Sequence, residues 1–489
     1  MLLNFRPRLP GDSRLTHFTT AAAVAVLLAG CVSLSARDTA PPVLPVPAGW
    51  SGEAAPTAQT ATDLAQWWQR FNDPLLAALV ERALQANTTV RGAQAALVQA
   101  RALRDVSAAG LGPTVGSSAS AQRGTSGGTS TGSSFRAGLD ASWELDVFGA
   151  NRSALQGADA TAFASAATLG DVQRSIAAEV ALVYITLRTI EARLAIANDN
   201  LALQLETLQI TDWRLQAGLV SSLEAEQARA AAEQTRAQLP ALQITLEQTR
   251  HALAVLTGQP PAALADVLAA PGALPQAPAD LAAAIPADTL RQRPDVRAAE
   301  FQISAAWSRV AQAEAARLPN FKLGGSLGLS ALTLGGLTNG ASVVSSLLAS
   351  VSLPIFNGGA LAAQVRAQQA ALDQARTGYE ATVLSALQEV EDALVALRGD
   401  RERLARLQLA AGAAANAALL ARQRYGSGLV DFQTVLNTQQ TQLSTQDSVA
   451  SAAAAVSADH VRLYKALGGG WQPEAVQALS LSPDQANPP

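Results

Sequence analysis

Two long runs of helix-forming residues constrain this sequence more than any other feature. Each run, at 151–217 and 360–426, holds about 66 residues rich in Ala, Leu, Gln, Glu and Arg, with almost no Gly or Pro. An α-helix of that length is roughly 100 Å long, which exceeds a bilayer and is uncommon in a compact domain. The sequence therefore predicts two helices that project far from the body of the molecule.

The two long runs belong to an internal repeat. The pattern Arg-x-x-x-Gly-Leu-Val stands at the end of each run, at 214–220 and again at 424–430. Earlier in each half, Pro113 matches Pro319 at an offset of 206, and the drift of the offset to 210 is what small loop insertions produce. Each half holds about 200 residues, far more than the roughly 20 to 50 residues of a solenoid repeat. One order of elements is therefore expected twice.

Each half also carries two stretches in which apolar and polar residues alternate, the pattern typical of β-strands. In the clearest stretch, Leu139, Trp143 and Leu145 share one face while the opposite face is charged, unlike an ordinary core strand. Segments rich in Ser, Gly and Thr, at 124–134 and 335–342, are expected to form hairpin loops. The predicted strands are 113–123, 135–147, 321–331 and 343–354.

A strand with one polar face either covers a protein core or separates lipid from an aqueous lumen. Its length of about ten residues favours a tilted transmembrane strand. Four strands cannot close, because a membrane barrel needs at least about eight and an open edge cannot lie in hydrocarbon. Three copies in a cyclic assembly would supply twelve strands. The residues then predicted to face the lumen are Arg136, Asp140, Glu144, Asp146 and Lys322.

The N-terminus has the pattern of an exported lipoprotein. Three arginines precede the apolar segment 21–29, which is too short to span a bilayer, so residues 1–30 are predicted to be a signal peptide. The run Leu-Ala-Gly-Cys that ends at Cys31, the single cysteine, resembles a bacterial lipobox. We expect cleavage before Cys31, a covalent lipid on its thiol, and a Pro/Ala/Ser-rich tether at 31–60. No Asp follows Cys31, which in lipoproteins of this kind favours the outer membrane, and no other stretch is predicted to be a transmembrane helix.

Composition narrows the classes of function. Lys and Arg total 35 against 39 Asp and Glu, a net charge of -4, so no basic surplus supports nucleic-acid binding. One Cys and three His exclude a disulfide framework and a Cys/His zinc site, and leave few candidates for a nucleophile–histidine pair. We therefore expect no enzyme, no catalytic residue, no metal, and no cofactor apart from the lipid on Cys31.

The repeat also sets the expected domain boundaries. A first repeat is expected at 61–258 with long helices over 151–258, and a second at 291–470 with long helices over 360–468. The Ala/Pro-rich sequence from Pro240 to Pro294 contains several breakers, so a compact connection is expected there rather than part of a long helix. The remaining predicted parts are an inter-repeat connection at 259–290 and a tail at 471–489.

Six ordered motifs spread over nearly the whole mature chain resemble those of a known family. They stand at 67–74, 143–149, 293–300, 354–359, 389–394 and 467–471. The resemblance is to the outer-membrane factors of bacterial tripartite efflux and secretion systems, and within them to the NodT/OprM-like lipoprotein branch of TolC-like channels. It implies a mainly α protein with a β-barrel portion, in which a homotrimer forms a twelve-stranded barrel in outer-membrane lipid and a twelve-helix periplasmic tunnel. It also implies a passive conduit that takes small molecules from an inner-membrane pump of the RND type through a periplasmic adaptor.

The resemblance places both Arg-x-x-x-Gly-Leu-Val turns at the periplasmic tip. A glycine followed by a leucine is by itself a sufficient helix C-cap, so the motif has a purely structural explanation as well. The tip has few other partners, which favours a contact with the adaptor. The candidate adaptor contacts are Gly218, Leu219, Gly428 and Leu429.

The resemblance also implies a gate just beyond the turns. Many relatives have a carboxylate ring where this chain has Asn437, so Glu224 is expected to supply the missing charge. Tyr425 and Arg424 match positions that link neighbouring helices. The gate residues predicted on this basis are Asn437, Thr434, Glu224, Asp431, Tyr425 and Arg424.

Three other interpretations of the sequence were weighed against its features. A TolC-like channel for type I protein secretion would have the same build. A lipid-anchored structural coiled coil without a pore would explain the long helices, but not the strands with one charged face. A periplasmic hydrolase would need a nucleophile elbow or a metal cluster, and neither pattern is present in the sequence.

Overall fold

The computed structural model describes residues 64–126, 130–276 and 287–471. The predicted signal peptide, Cys31 and the tether lie outside these residues, as do part of the inter-repeat connection and all of the tail after Trp471.

The described residues form seven α-helices and one four-stranded antiparallel sheet, and short 3₁₀ turns such as Trp67–Phe71 connect some of them. The helices are α1 Pro74–Ala86, α2 Thr88–Ala109, α3 Ala150–Gln216, α4 Ser222–Leu256, α5 Pro294–Ala315, α6 Ala360–Gly426 and α7 Phe432–Ala466. The strands are β1 Thr114–Ser126, β2 Ser130–Leu145, β3 Asn320–Ala331 and β4 Val343–Ser352.

The order helix, two strands and two helices occurs twice, as the repeat predicts. The sequence α2, β1, β2, α3 and α4 in the first half corresponds to α5, β3, β4, α6 and α7 in the second. The helices α3 and α6 each contain 67 residues, and both begin after a glycine with positive φ. Their ends agree closely with the predicted runs at 151–217 and 360–426. Helix propensity is a local property of the residues, so an unbroken series of good helix formers marks the limits of a helix in the sequence itself. Contrary to the expectation from sequence, helix α6 contains an 18-residue window apolar enough to cross a membrane, and only 17% of that window is buried.

The expected compact connection from Pro240 onward is wrong at its start. Helix α4 continues through Pro240 as far as Leu256. A proline inside a helix loses one backbone hydrogen bond and strains the preceding turn, but Pro240 is exposed, so water can bind the carbonyl group that it leaves without a donor. Buried residues on both sides, including Ala232 and Leu253, hold the helix in place.

The expected hairpin loop at 124–134 is also wrong. Strands β1 and β2 remain in register as far as the pair Ser126 and Ser130, so the strands extend through most of the Ser/Gly/Thr-rich segment. Strand propensity depends strongly on context, and ladder hydrogen bonds to a partner maintain a strand of weak β-formers. The segment 335–342 does form a connection, through two 3₁₀ turns.

The sheet has the order β1-β2-β3-β4, so β1 and β4 each have one edge that no described strand of the chain pairs with. One face carries most of the apolar side chains of the sheet, and many of them are exposed in the single chain. That face includes Val115, Leu139, Trp143, Leu327, Leu347 and Val351. The opposite face carries Asp140, Glu144 and Lys322 among serines and glycines, and only β4 adds exposed apolar side chains to it, those of Val344 and Leu348. A sheet with this polarity separates an apolar medium from water.

The main core lies where the short helices and the 3₁₀ turn pack against the long helices. Trp67 is fully buried, and its ring stacks on Tyr464 with 5.6 Å between centroids. The Arg293 side chain, only 1% exposed, binds Asp295, Glu389 and the Ala466 carbonyl oxygen, and so ties α5, α6 and α7 together.

The pKa of Asp295 follows from this cluster. Burial alone would raise it, but hydrogen bonds from Arg293 and the charges of Arg174 and Arg293 lower the pKa overall. A carboxyl group with a lowered pKa stabilises the fold above its unfolded-state value of about 4, and this stabilisation is lost as the pH falls.

The close pairing of β2 with β3 at two glycines gives a test of the sheet register. Gly138 faces Gly328, and a Cβ at Gly328 would lie 2.7 Å from the Ala137 carbonyl oxygen. A Cβ at Gly324, on the same face, would meet nothing closer than 3.9 Å. We expect Gly328→Ala to lower the free energy of unfolding in detergent by about 1–3 kcal/mol, and Gly324→Ala to leave it nearly unchanged. Equal effects of the two substitutions would contradict the register.

Candidate functional site at the helical turns

The turns between α3 and α4 and between α6 and α7 have the same backbone geometry. Gly218 and Gly428 adopt φ values of 70° and 74°, a left-handed conformation that glycine accepts without strain. The amide of Leu219 donates to the Arg214 carbonyl oxygen at 2.8 Å, and the amide of Leu429 donates to that of Arg424 at 2.9 Å. These are the bonds of a helix C-cap, so the cap explains both glycines.

The cap does not explain the two leucines. A helix C-cap of this type is usually accompanied by a hydrophobic contact of the residue after the glycine. Leu219 and Leu429 are instead 73% and 74% exposed, and the nearby Trp213 and Leu223 are exposed as well. Exposed apolar side chains grouped at the end of an element are typical of a protein-binding surface. The sequence does not single out Trp213 and Leu223, because the spacing of apolar residues in α3 and α4 does not show which of them are exposed.

Arg214 joins the two turns. Its guanidinium group donates to the carbonyl oxygens of Tyr425 at 3.3 Å and Gly426 at 3.0 Å, and lies 4.7 Å from the centre of the Tyr425 ring. The carbonyl groups at a helix C-terminus carry partial negative charge, so a cation is favourable there.

Within one chain, Arg214 rather than Arg424 links the two turns. Arg424 is exposed, and no hydrogen bond or ion pair of its side chain is found in the ranges that the structure describes. Its counterpart in the first repeat, Arg214, makes the link instead. The sequence shows both arginines at the same place in the repeat, and only the packing of the two turns decides which one has a partner in its own chain.

Tyr425 and Glu224, both predicted gate residues, are in contact. The Tyr425 hydroxyl donates to a Glu224 carboxylate oxygen at 3.3 Å, and its ring packs against Phe432 with 5.4 Å between centroids. Burial raises the pKa of Tyr425, and the negative charge of Glu224 raises it further. The hydroxyl therefore keeps its proton at neutral pH and can act as the donor.

The other predicted gate residues form separate pairs. Asp431 caps the N-terminus of α7 by accepting hydrogen bonds from the amide and the hydroxyl of Thr434, and these bonds lower the pKa of Asp431. Asn437 is exposed and accepts a hydrogen bond from Gln433 at 2.9 Å. Asn437 is thus on the first turns of α7, but the single chain does not bring it against Glu224.

A series of polar contacts holds the first-half hairpin against the second along the long helices. Most of these side chains sit at half-buried or buried positions between α3 and the second-half helices, where sequence periodicity gave no signal for them. The pairs are Arg422 with Glu206, Gln439 with Thr207, Asn200 with Gln446, and Arg193 with Asp447.

On the sheet, the predicted lumen residues separate into two groups. Lys322 lies 3.6 Å from Glu144 across β2 and β3, and Ser118 donates to Asp140 at 2.7 Å, so these charges share the polar face. Arg136 is exposed opposite Ser330 on the same face.

Asp146 does not belong to this face. It lies beyond the end of β2 and accepts hydrogen bonds from the amides of Asn151 and Arg152, which cap α3. Its carboxylate is needed there because the residue before α3 is Gly149, which has no side chain to cap the helix.

Comparisons with known proteins agree with this architecture. The sequence matches the family described as outer membrane efflux protein over residues 79–259 and 285–469. The pyoverdine export outer membrane protein OpmQ of Pseudomonas putida is 34% identical over 467 residues, which cover 92% of this chain and 98% of OpmQ. The toluene efflux pump outer membrane protein TtgF of Pseudomonas putida is 32% identical over 484 residues, covering 95% and 99%. The structure of the outer-membrane channel OprN matches with a TM-score of 0.80 at 35% identity and covers 89% of this chain and 100% of that chain.

The contact of Tyr425 with Glu224 can be tested by removing one oxygen atom. We expect Tyr425→Phe to speed amide hydrogen exchange over 425–436, with a loss of about 1–2 kcal/mol in local opening free energy, because the hydrogen bond has a charged acceptor. Tyr379→Phe in the same helix is the control, since no hydrogen bond of its hydroxyl is found in the described part of the chain. Unchanged exchange at 425–436 in Tyr425→Phe would contradict the contact.

Proposed function

Because this chain belongs to the outer membrane efflux protein family, we propose that it is the outer-membrane channel subunit of a tripartite efflux pump. It serves as a passive conduit that carries small molecules to the exterior. The observation that carries the proposal is a sheet with one apolar and one polar face, continuous with helices of 67 residues. The sheet belongs in the outer membrane, and the helices extend into the periplasm.

A homotrimer would provide partners for the unpaired edges of the sheet. The free edges of β1 and β4 would pair between neighbouring copies, and three copies give a closed barrel of twelve strands without any unpaired edge. The face with Leu139, Leu327 and Leu347 then contacts lipid, and the face with Asp140, Glu144 and Lys322 lines the lumen. Both signs of charge are present on the lumen face, which favours a permissive conduit over a selective filter.

The length of the helices places the turns where a periplasmic partner can bind. A helix of 67 residues is about 100 Å long, enough to place the turns far below the membrane. We propose that a periplasmic adaptor docks on the exposed Leu219 and Leu429, and that the adaptor couples the channel to an inner-membrane pump of the RND type. Selection of the cargo then belongs to the pump.

The gate in this proposal consists of the first turns of α4 and α7. The bond of Tyr425 to Glu224 and the bonds of Arg214 to the end of α6 hold the two turns of one chain together. Asn437 of each copy would form a neutral ring, which closes by packing and hydrogen bonds without the cation affinity of a carboxylate ring. Opening is an outward movement of these helices when the adaptor and pump bind.

The lipid anchor is part of the proposal and has its own test. We expect the native protein to carry a mass increment from a lipid on its N-terminal cysteine, and Cys31→Ser to lose it, because acylation requires the thiol. Intact mass spectrometry of the purified proteins measures this directly. An unmodified Cys31 in the native protein would rule out the lipoprotein assignment while leaving the channel proposal in place.

The channel and its gate are tested together by single-channel conductance in planar bilayers. We expect rare, small openings for the native protein, and larger or more frequent openings for Asn437→Ala and Glu224→Ala. The control is Asn198→Ala, an exposed position on α3 away from the turns. If all four proteins conduct alike, the gate residues are wrong; if none conducts, the channel proposal is wrong.

A further inference from the structure

Two aliphatic side chains on the polar face of the sheet form a small site together with a carboxylate. We propose that Val344, Leu348 and Asp140 bind organic cations that have an apolar body, and that such ions are one class of solute the channel carries. The inference rests on the proposed function, in which this face lines the lumen, and it adds a substrate class to that function. All three residues belong to one chain, so each copy would hold its own site.

The two repeats differ at the positions concerned. Val344 and Leu348 in β4 are the counterparts of Arg136 and Asp140 in β2 at an offset of 208, within the range of offsets that relates the repeats. The first repeat therefore has two charges where the second has two aliphatic side chains. Val344 is 51% exposed and Leu348 is 64% exposed, so neither is part of a core in the single chain. The repeated plan alone does not account for apolar side chains on this face.

Glycines leave the two aliphatic side chains uncovered on the side of β3. In the register of β3 with β4, Val344 lies opposite Gly328 and Leu348 lies opposite Gly324. The close approach of β2 requires Gly328, but a Cβ at Gly324 would meet nothing closer than 3.9 Å. A glycine inside a strand often marks a place where a ligand or another backbone comes close. Because the packing within the chain does not require Gly324, the open space beside Leu348 is suited to a ligand.

The charge nearest the centre of the site is a carboxylate. Ser346 separates Val344 from Leu348 along β4, and Asp140 lies two strands away in the same row as Ser346. At a strand spacing of about 4.8 Å, Asp140 is roughly 10 Å from Ser346. Its carboxylate is exposed and accepts a hydrogen bond from Ser118 at 2.7 Å. No ion pair of Asp140 is found in the described part of the chain, so its charge is available to a ligand.

The other charges of this face are paired or more distant. Lys322 lies 3.6 Å from Glu144, which offsets its charge. Arg136 is four residues from Asp140 on β2, which places it roughly 17 Å from Ser346 by the same strand geometry. That distance is about two Debye lengths at physiological ionic strength, so salt screens Arg136 from the site far more than it screens Asp140. The site therefore favours a cation.

These features together fit an amphipathic cation about 10 Å long. An apolar ring system would cover Leu348 and the open space over Gly324, while a positive group at its other end extends towards Asp140. Each contact remains accessible to water, so binding is weak. Weak binding suits a conduit, because a solute must leave the site as readily as it enters.

Block of the open channel tests the class of ligand. The full-length native protein in planar bilayers is exposed to naphthylmethyl-trimethylammonium and to two control ions. Tetramethylammonium has the charge without the apolar body, and naphthalenesulfonate has the body with the opposite charge. We expect the aromatic cation to halve the open-channel current at a concentration about tenfold or more below that of either control, because only it makes both contacts.

Variants assign the block to these residues. Leu348→Ser should raise the half-blocking concentration about fivefold through lost apolar contact, and Asp140→Asn should raise it about threefold through lost charge. Leu347→Ser is the matched control, because Leu347 is the neighbouring residue on the opposite face of β4. Block is measured against the unblocked openings of the same protein, so the frequency of opening does not matter. Equal block in the native protein, Leu348→Ser and Asp140→Asn would overturn the site.

Protection of a cysteine is a readout that needs no current. Ser346→Cys places a thiol between the two aliphatic side chains, and Ser120→Cys places one on the same face of β1, opposite Arg136. We expect the aromatic cation at saturation to slow the reaction of Ser346→Cys with a small water-soluble maleimide about threefold or more. The Ser120→Cys variant should react at an unchanged rate. The native protein gives the background from Cys31.

The outcomes separate this inference from the proposed function. If the native protein conducts but neither block nor protection distinguishes the aromatic cation from tetramethylammonium, the site is wrong and the channel proposal stands. If the native protein does not conduct, the proposed function fails. Protection of Ser346→Cys then decides alone whether this face binds amphipathic cations, and unchanged reactivity would overturn the site as well.

Discussion

An open edge of a β-sheet cannot lie in hydrocarbon, and the architecture of this protein depends on that constraint. One chain supplies four strands with an apolar face suited to lipid, yet β1 and β4 end the sheet with unpaired edges. The long helices repeat the same incompleteness, because α6 has half as many buried residues as α3. The homotrimer proposed above would pair the free edges of β1 and β4 between neighbouring copies.

Small differences in sequence between the two repeats distinguish the two helical turns. The backbone of both turns is the same, down to the glycine φ values and the cap hydrogen bonds. The side chains differ, since the repeat counterparts of Tyr425 and Glu224 are Leu215 and Thr434. The hydrogen bond from Tyr425 to Glu224 therefore has no equivalent at the corresponding positions, where the tyrosine hydroxyl is replaced by an apolar side chain.

Much of the fold could be predicted from local sequence. The limits of α3 and α6, the two positive-φ turns and the alternation of the strands depend on propensity and periodicity, which act over a few residues. The prediction was wrong where a distant partner overrides local preference. Pro240 stays within α4 because buried neighbours hold the helix, and β1 with β2 extends through a Ser/Gly/Thr-rich segment because each strand pairs with the other.

The sequence by itself determined that this chain contains the same order of elements twice. Each repeat has membrane-type strands and a long helix that ends in the same turn motif. Only the tertiary structure decided which of two equivalent residues has a partner. Arg214 binds the end of α6, whereas no hydrogen bond or ion pair of the Arg424 side chain is found in the described part of its own chain. Asp146 lies beyond the end of β2 and caps α3. The physical reason is that a repeated sequence specifies the same elements twice, but their surroundings differ. Contacts between two hairpins exist only where the hairpins are neighbours in space, and the first and last hairpins of one chain have different neighbours.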